Sequence, residues 1–325
     1  MQIVVVGAGA VGLACAIRLG EAGHQVQVWT KDAPSDTASA VPAVVWWPDA
    51  VAYGGKDPRA TGEDGAIIRW SAATYDQLAT LTAIPGSGVR LRRGSAVLRA
   101  AQGEPWWAAA VPRLGRCRPA LLPDGYADGY AFAAPVVDMW QYLPWLIRRL
   151  AAAGVPVVER ELRGLADARM VADLVVNCSG LGARQLAEDG DMVPVRSQVV
   201  RVANVGLTEW LRDDHDPDGP ISLVPRGDEV VCGGTVEAGA EELAPRAADT
   251  DRILARCCAL VPELAGAPVV GTMVGVWPGR TVVRLDRDER DDDVVHCYGH
   301  GGAGITLSWG CADEVTRLVA AAGGR

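Results

Sequence analysis

The stretch from Gln2 to Leu13, Gln-Ile-Val-Val-Val-Gly-Ala-Gly-Ala-Val-Gly-Leu, restricts the possible folds more than any other part of the chain. Its β-branched run is too short to be a buried helix and suits a parallel strand covered on both faces. The run breaks at Gly7, Gly9 and Gly12. Gly7 permits a tight turn, Gly9 lets a pyrophosphate approach the backbone, and Gly12 lets the next helix lie close on the strand. That helix, from Val11 to Ala22, aims its free N–H groups and positive dipole end at the same anion. Gly23 stops it, and a second strand follows over Gln25 to Trp29. The succession of strand, glycine turn, amphipathic helix and strand reads as a dinucleotide-binding unit.

Length and charge narrow the rest. A chain of 325 residues can bury one large core or two intimate ones. Its net charge of -9 leaves no basic field for a phosphate backbone, so a nucleic-acid partner is not expected. Because Met1 runs straight into the first strand, no leader is expected, and no apolar run approaches the ~20 residues of a membrane helix. The cysteines Cys15, Cys117, Cys178, Cys232, Cys257, Cys258, Cys297 and Cys311 lack metal-ligand spacing and sit in apolar context. They read as small buried hydrophobes kept reduced in a cytoplasmic setting. Neither membrane nor metal is expected, and a homodimer is left open.

Where an acidic residue commonly ends the second strand to hold a ribose, the chain has Thr30-Lys31-Asp32. Lys31 could meet a 2′-phosphate, Asp32 could reach a ribose hydroxyl, or both could belong to a solvated loop. The apolar stretch Ala43 to Pro48 suits a place beside a flat cofactor or substrate, or in the core. Further on, Asp49 to Gly65 reads as a polar loop and Ile67 to Leu81 as a helix. Val89 to Leu98 alternates like an edge strand, and Trp140 to Ala152 is a second amphipathic helix. Val155 to Val158 and Leu174 to Cys178 read as buried strands, the latter ending in the glycine-bearing turn Ser179-Gly180-Leu181-Gly182. Strands are expected over Gln198 to Val202 and Val230 to Gly234, with Trp210 to Pro225 a long loop between them. The segment Ala248 to Leu260 reads as helical, and Val269 to Trp277 as a strand. Val294 to Tyr298 then enters a second glycine-rich turn, Gly299 to Thr306, before a terminal helix. Two such turns at opposite ends of the chain predict that both termini converge on one elongated ligand. No metal site, nucleophile elbow or catalytic triad can be assembled, so the chemistry belongs to a cofactor.

The segment Val295-His296-Cys297-Tyr298-Gly299-His300-Gly301-Gly302-Ala303-Gly304-Ile305-Thr306-Leu307-Ser308-Trp309-Gly310 resembles the signature of the D-amino-acid oxidases, FAD-dependent flavoproteins that include D-aspartate oxidases. Also similar are Gly7 to Leu13, Val176 to Gly180, Cys257 to Pro262, and Trp277-Pro278-Gly279-Arg280 followed by Val283-Arg284-Leu285. The resemblance implies an α/β fold: a Rossmann-type FAD-binding domain with an interleaved α+β substrate domain on a mixed or antiparallel sheet. The first would comprise 1–48, 135–190 and 281–325, and the second 49–134 and 191–280.

By the same resemblance, Gly7, Ala8, Gly9, Ala10, Val11 and Gly12 hold the FAD pyrophosphate, Lys31 and Asp32 the ribose, and Leu162 the adenine. Val45 and Trp46 back the flavin, Ser179 and Gly180 make a further contact, and Gly301, Gly302, Gly304, Ile305 and Thr306 wrap its isoalloxazine end. Arg280 takes the substrate carboxylate and the Gly302 carbonyl the substrate amine, with Ser222 and Trp47 lining the pocket. The implied reaction is oxidative deamination of D-amino acids, with the α-hydrogen leaving as hydride to the flavin and dioxygen reduced to hydrogen peroxide. No protein base is needed.

Departures bear on the substrate. Ser222 falls where the family carries a tyrosine, the lid between His215 and Ile221 is short, and Trp47 replaces a smaller polar residue. A preference for bulky apolar side chains is therefore expected. Alternatives are an oxidase of N-substituted amino acids or amines, an NADP-dependent reductase reading its phosphate through Lys31, and a catalytically impaired flavin binder.

Overall fold

A computed structural model of the chain describes residues 1–41, 43–48, 62 and 64–322. Most of the polar loop expected over Asp49 to Gly65 lies outside the described residues.

Two sheets organise the chain. The first has six strands in the spatial order Arg284–Arg287, Val294–Tyr298, Leu174–Asn177, Gln2–Val6, Gln25–Thr30 and Val157–Glu159. All neighbours are parallel except the Arg284–Arg287 edge. Burial on both faces explains the unbroken apolar runs: Ile3, Val4, Val5 and Val6 are all buried, as are Leu174, Val175 and Val176. The expectation of a buried strand after Val155 needs correction, because Val157–Glu159 is the sheet's other edge and its residues are partly or fully exposed.

On this sheet lie the helix Ala10–Glu21 and, packed along it, the C-terminal helix Gly304–Ala322. Gly310 of the latter meets the helix Asp64–Leu81 so closely that a Cβ there would fall 2.3 Å from the Trp70 backbone. The Gly310 amide donates to Thr74 Oγ1 at 2.9 Å across the same contact.

The second sheet is larger and mostly antiparallel. Its path runs Glu237–Ala238, Val193–Ala203, Glu229–Gly233, Ile221–Arg226, Trp210–Asp213, Val89–Leu98, Asp128–Asp138 and Ala43–Val45, with Val269–Gly279 on the other side of Val193–Ala203. Trp210–Asp213 and Val89–Leu98 are its parallel pair. Two expectations fail here. Val89–Leu98 is interior, flanked by Asp128–Asp138 and Trp210–Asp213. The long loop read over Trp210 to Pro225 holds two antiparallel strands. Arg90, Arg92 and Arg93 in one strand, and Arg212 and Asp213 in the other, hid the pattern that burial would have made apolar.

One face of this sheet packs on the helix Ala247–Leu260: Val200, Val202, Ile221, Leu223, Val230 and Cys232 bury against Ile253, Cys257 and Leu260. Side chains alternate faces along a strand, so Val199, Ser222 and Gly233 point the other way.

Candidate active site

The two glycine turns meet. A Cβ on Gly304 would lie 4.0 Å from Val11 Cγ2, so the turn after Tyr298 sits on the N-terminus of the first helix. The roles of Gly7 and Gly12 are set by protein rather than ligand. Gly7 (φ +110°) lies against the Cys178 carbonyl, and a Cβ on Gly12 would fall 2.0 Å from the Gly7 oxygen. Around Gly9 the space is open apart from Ser39, whose Oγ accepts a hydrogen bond from the Ala10 amide at 3.0 Å. Ser39 was invisible to motif reading: it is one serine in an irregular Pro/Ser/Ala segment, brought to the helix N-terminus by the tertiary fold.

At the neighbouring strand end, Ser179 donates to Asn177 Oδ1 at 2.6 Å, and a Cβ on Gly180 (φ +58°) would meet nothing nearer than Pro278 at 3.9 Å. These open glycine backbones, a helix N-terminus and the Ser39 hydroxyl beside it fit the diphosphate of a dinucleotide. Thr306 is buried, and its Oγ1 accepts from the Trp47 amide at 3.0 Å, tying the second turn to the segment Val45 to Trp47.

Other expected contacts fall differently. Lys31 is exposed and forms an ion pair with Glu161 at 2.8 Å, while Asp32 is exposed beside it. Leu162 is buried with Val4, Val6 and Trp29, so it supports the sheet beside any adenine rather than presenting a free side chain. Val45 is buried in the main core. Trp46 does not offer its ring to a cofactor: it packs edge-on against Tyr75 and Phe132, and its indole N–H donates to the Ser71 carbonyl.

Trp47 is 3% exposed, stacked on Phe132 and edge-on to Trp107. The Arg212 guanidinium covers it at 5.2 Å. Its ring is a buried support, and its indole N–H has no acceptor among the described residues.

Arg280 is not aimed at Gly302. Its stem packs on Gly299, Nε donates to Asp189 at 3.0 Å, and one terminal nitrogen donates to the Val282 carbonyl at 2.7 Å. Burial alone would raise the Asp189 pKa, but the Tyr298 hydroxyl at 2.8 Å and the Arg280 guanidinium hold it below the usual range. The residue that faces Gly302 is Trp277, whose ring edge lies 3.3 Å from where a Gly302 Cβ would stand.

A closed circuit of contacts then outlines the site. From Trp277 the strand leads back to Met273 on the same face, and Met273 pairs with Val199. Val199 pairs with Gly233, Gly233 with Ser222, and Ser222 with Arg212. Arg212 covers Trp47, and Trp47 is bonded to Thr306, in the same turn as Gly302. His300 lies in the same turn as Gly302, against Cys297. It is fully buried, and burial pushes its pKa down to about 4, so its ring is neutral at physiological pH.

The described residues also bring buried thiols together, Cys15, Cys178 and Cys297 in one group and Cys297, His300 and Cys311 in another. The Cys178 contact lowers the Cys15 thiol, but contact with Cys297 and burial raise it overall, and contacts with Cys15 and Cys297 together with burial raise Cys178, which disfavours the thiolate a metal would require. No helix among the described residues is long and apolar enough to cross a membrane.

The family model for FAD-dependent oxidoreductases matches residues 2–318. The D-amino-acid oxidase of Rubrobacter xylanophilus is 45% identical over 324 residues, covering 99% of this chain and 96% of that one. The D-amino-acid oxidase of Streptomyces coelicolor is 39% identical, covering 98% and 96%. Among solved structures, glycine oxidase from Geobacillus kaustophilus has a TM-score of 0.81 at 18% identity, covering 98% and 95%, a likeness of fold. With a glycine cradle suited to the dinucleotide and a family match along nearly its whole length, this chain belongs to the FAD-dependent oxidoreductases of the D-amino-acid oxidase type.

Proposed function

We propose that the protein is an oxidase of D-amino acids with large apolar side chains, releasing an imino acid that water converts to the 2-oxo acid. The observation that carries the substrate preference is Trp277, a partly buried indole whose ring edge stands against Gly302, where the reacting Cα–N bond would sit. The glycine turns would hold FAD, which when bound would supply the two-electron acceptor for that bond and the route to dioxygen, giving hydrogen peroxide. The chain's own groups position. Gly7 to Gly12, Ser39, Ser179, Gly180 and Gly301 to Thr306 hold the cofactor, the Gly302 carbonyl accepts from the substrate amine, and Trp277 takes the side chain. Holding the reacting atoms in a near-attack geometry supplies the catalysis without a protein base. The names of the two D-amino-acid oxidase relatives support the substrate class.

In this reading the cofactor domain comprises 1–48, 135–190 and 281–325, and the substrate domain 49–134 and 191–280. The eight free, mostly buried cysteines suit a reducing cytoplasmic compartment. The match to the FAD-dependent family speaks against the NADP alternative. The test is peroxide release by the purified holoenzyme across a panel of D- and L-amino acids. Turnover of D-phenylalanine or D-leucine well above D-alanine supports the reading, and turnover confined to L-amino acids or to amines lacking a carboxylate overturns it.

A further inference from the structure

The circuit around the site contains one arginine, and it is not Arg280. The geometry points to Arg212 as the anchor of the substrate carboxylate, an inference that rests on the D-amino-acid reading above. Three observations carry it. The first is register: Arg212 pairs with Ser222, which pairs with Gly233, which pairs with Val199, so its side chain lies on the sheet face turned toward the glycine turns. The contact of its terminal nitrogen with Ser222 Oγ at 3.4 Å agrees.

The second is unspent donor capacity. The buried Nε of Arg212 has no acceptor among the described residues. Arg212 has one carboxylate, Asp214 at 2.6 Å, and the long contact to Ser222. Beside it, Trp47 holds a second buried N–H without an acceptor, so the neighbourhood is rich in donors. The third is the commitment of Arg280 to Asp189 and Val282, which removes its guanidinium from the circuit.

Arg212, Ser222 and the Trp47 indole thus form one end of the site, and Trp277 with Met273 the other. A carboxylate bound at the first end and an apolar side chain at the second leave the Cα–N bond over Gly302. Asp214 fixes the guanidinium but also competes with the incoming anion. That competition gives a signature a merely structural arginine would not show.

The test uses the FAD-loaded protein and benzoate, a carboxylate on an apolar body, with benzylamine as the control that lacks the anion. Tryptophan fluorescence and the flavin spectrum report binding, since Trp47 lies under Arg212. Arg212→Met should weaken benzoate about 100-fold and leave benzylamine unchanged. Asp214→Asn should tighten benzoate several-fold, and FAD content reports that each variant is folded. For the best D-amino acid, Arg212→Met should raise KM far more than it lowers kcat.

The proposal is overturned if wild type shows no saturable benzoate binding. It is equally overturned if Arg280→Met, and not Arg212→Met, abolishes that binding, or if Asp214→Asn weakens it. If no D-amino acid is oxidised while the benzoate pattern holds, the substrate reading fails and the anion anchor stands. If D-amino acids are oxidised with unchanged KM in Arg212→Met, the anchor fails and the reading stands.

Discussion

The cofactor side and the substrate side of this molecule are built on different physical terms. Around the FAD cradle the specification is in the backbone. Gly7 and Gly12 exist because the chain passes within van der Waals contact of itself, and the ligand meets amide groups that any sequence with those glycines would present. On the proposed substrate side the specification is in side chains set by strand register: in that reading Trp277, Ser222 and Arg212 matter because of which face they occupy. Backbone specification tolerates no substitution at a few positions, whereas side-chain specification tolerates most substitutions at a cost in selectivity. That difference explains how one fold keeps its cofactor while its substrate changes.

The sharpest break of this contrast is Gly12→Val. With the Cβ site 2.0 Å from the Gly7 oxygen, the helix cannot dock, and we expect no soluble protein carrying FAD. Recovery of a yellow, stable variant would show that the cradle is looser than its contacts imply.

Next in size is Asp189→Ala, which strips the Arg280 guanidinium and the Tyr298 hydroxyl of their shared acceptor. Removing one partner of a buried ion pair costs about 3–5 kcal/mol, and the partial exposure of Arg280 places the effect at about 3 kcal/mol. Urea unfolding should register that loss with benzoate affinity little changed. A large change in benzoate affinity instead would return Arg280 to the substrate side of the comparison.

His300 tests the cofactor side through pH. Its folded pKa is lowered by burial from 6.5 to about 4, so between those values the unfolded chain binds a proton that the folded one refuses. Stability from this group is whole above pH 6.5, falls as pH drops, and is spent near pH 4, a total of about 3 kcal/mol. In His300→Asn the slope of unfolding free energy over that window should flatten; an unaltered slope would assign it to other groups.

Trp277→Ala should have the smallest effect, confined to the substrate side. Exposing some of the indole contact at ~25 cal/mol per Å² should cost about 2 kcal/mol of affinity for D-phenylalanine, with D-alanine and Tm nearly unaffected. Parallel losses for both substrates would mean that Trp277 supports the cradle and not the side-chain pocket.

The sequence by itself determined the dinucleotide half, because its signals are local: a β-branched run, glycines at fixed spacing and a helix start within a dozen residues. Even the convergence of the two termini was legible, since two glycine turns after buried strands in one α/β sheet have few other places to go. What it could not settle was which of two adjacent tryptophans reaches the site. Both indoles touch Phe132, and only tertiary packing separates them, Trp46 against Tyr75 with its N–H on the Ser71 carbonyl and Trp47 under Arg212.

The same holds for the arginines. Arg280 lies in a motif and Arg212 in a stretch that reads as a loop; each has a partner two residues on, Val282 and Asp214, but what decides their direction is distant along the chain or across a strand pair. Asp189 takes the first, and the register with Ser222 turns the second toward the glycine cradle. Charge and spacing state that an arginine is present; where its charge is spent is settled only when the sheets close on each other.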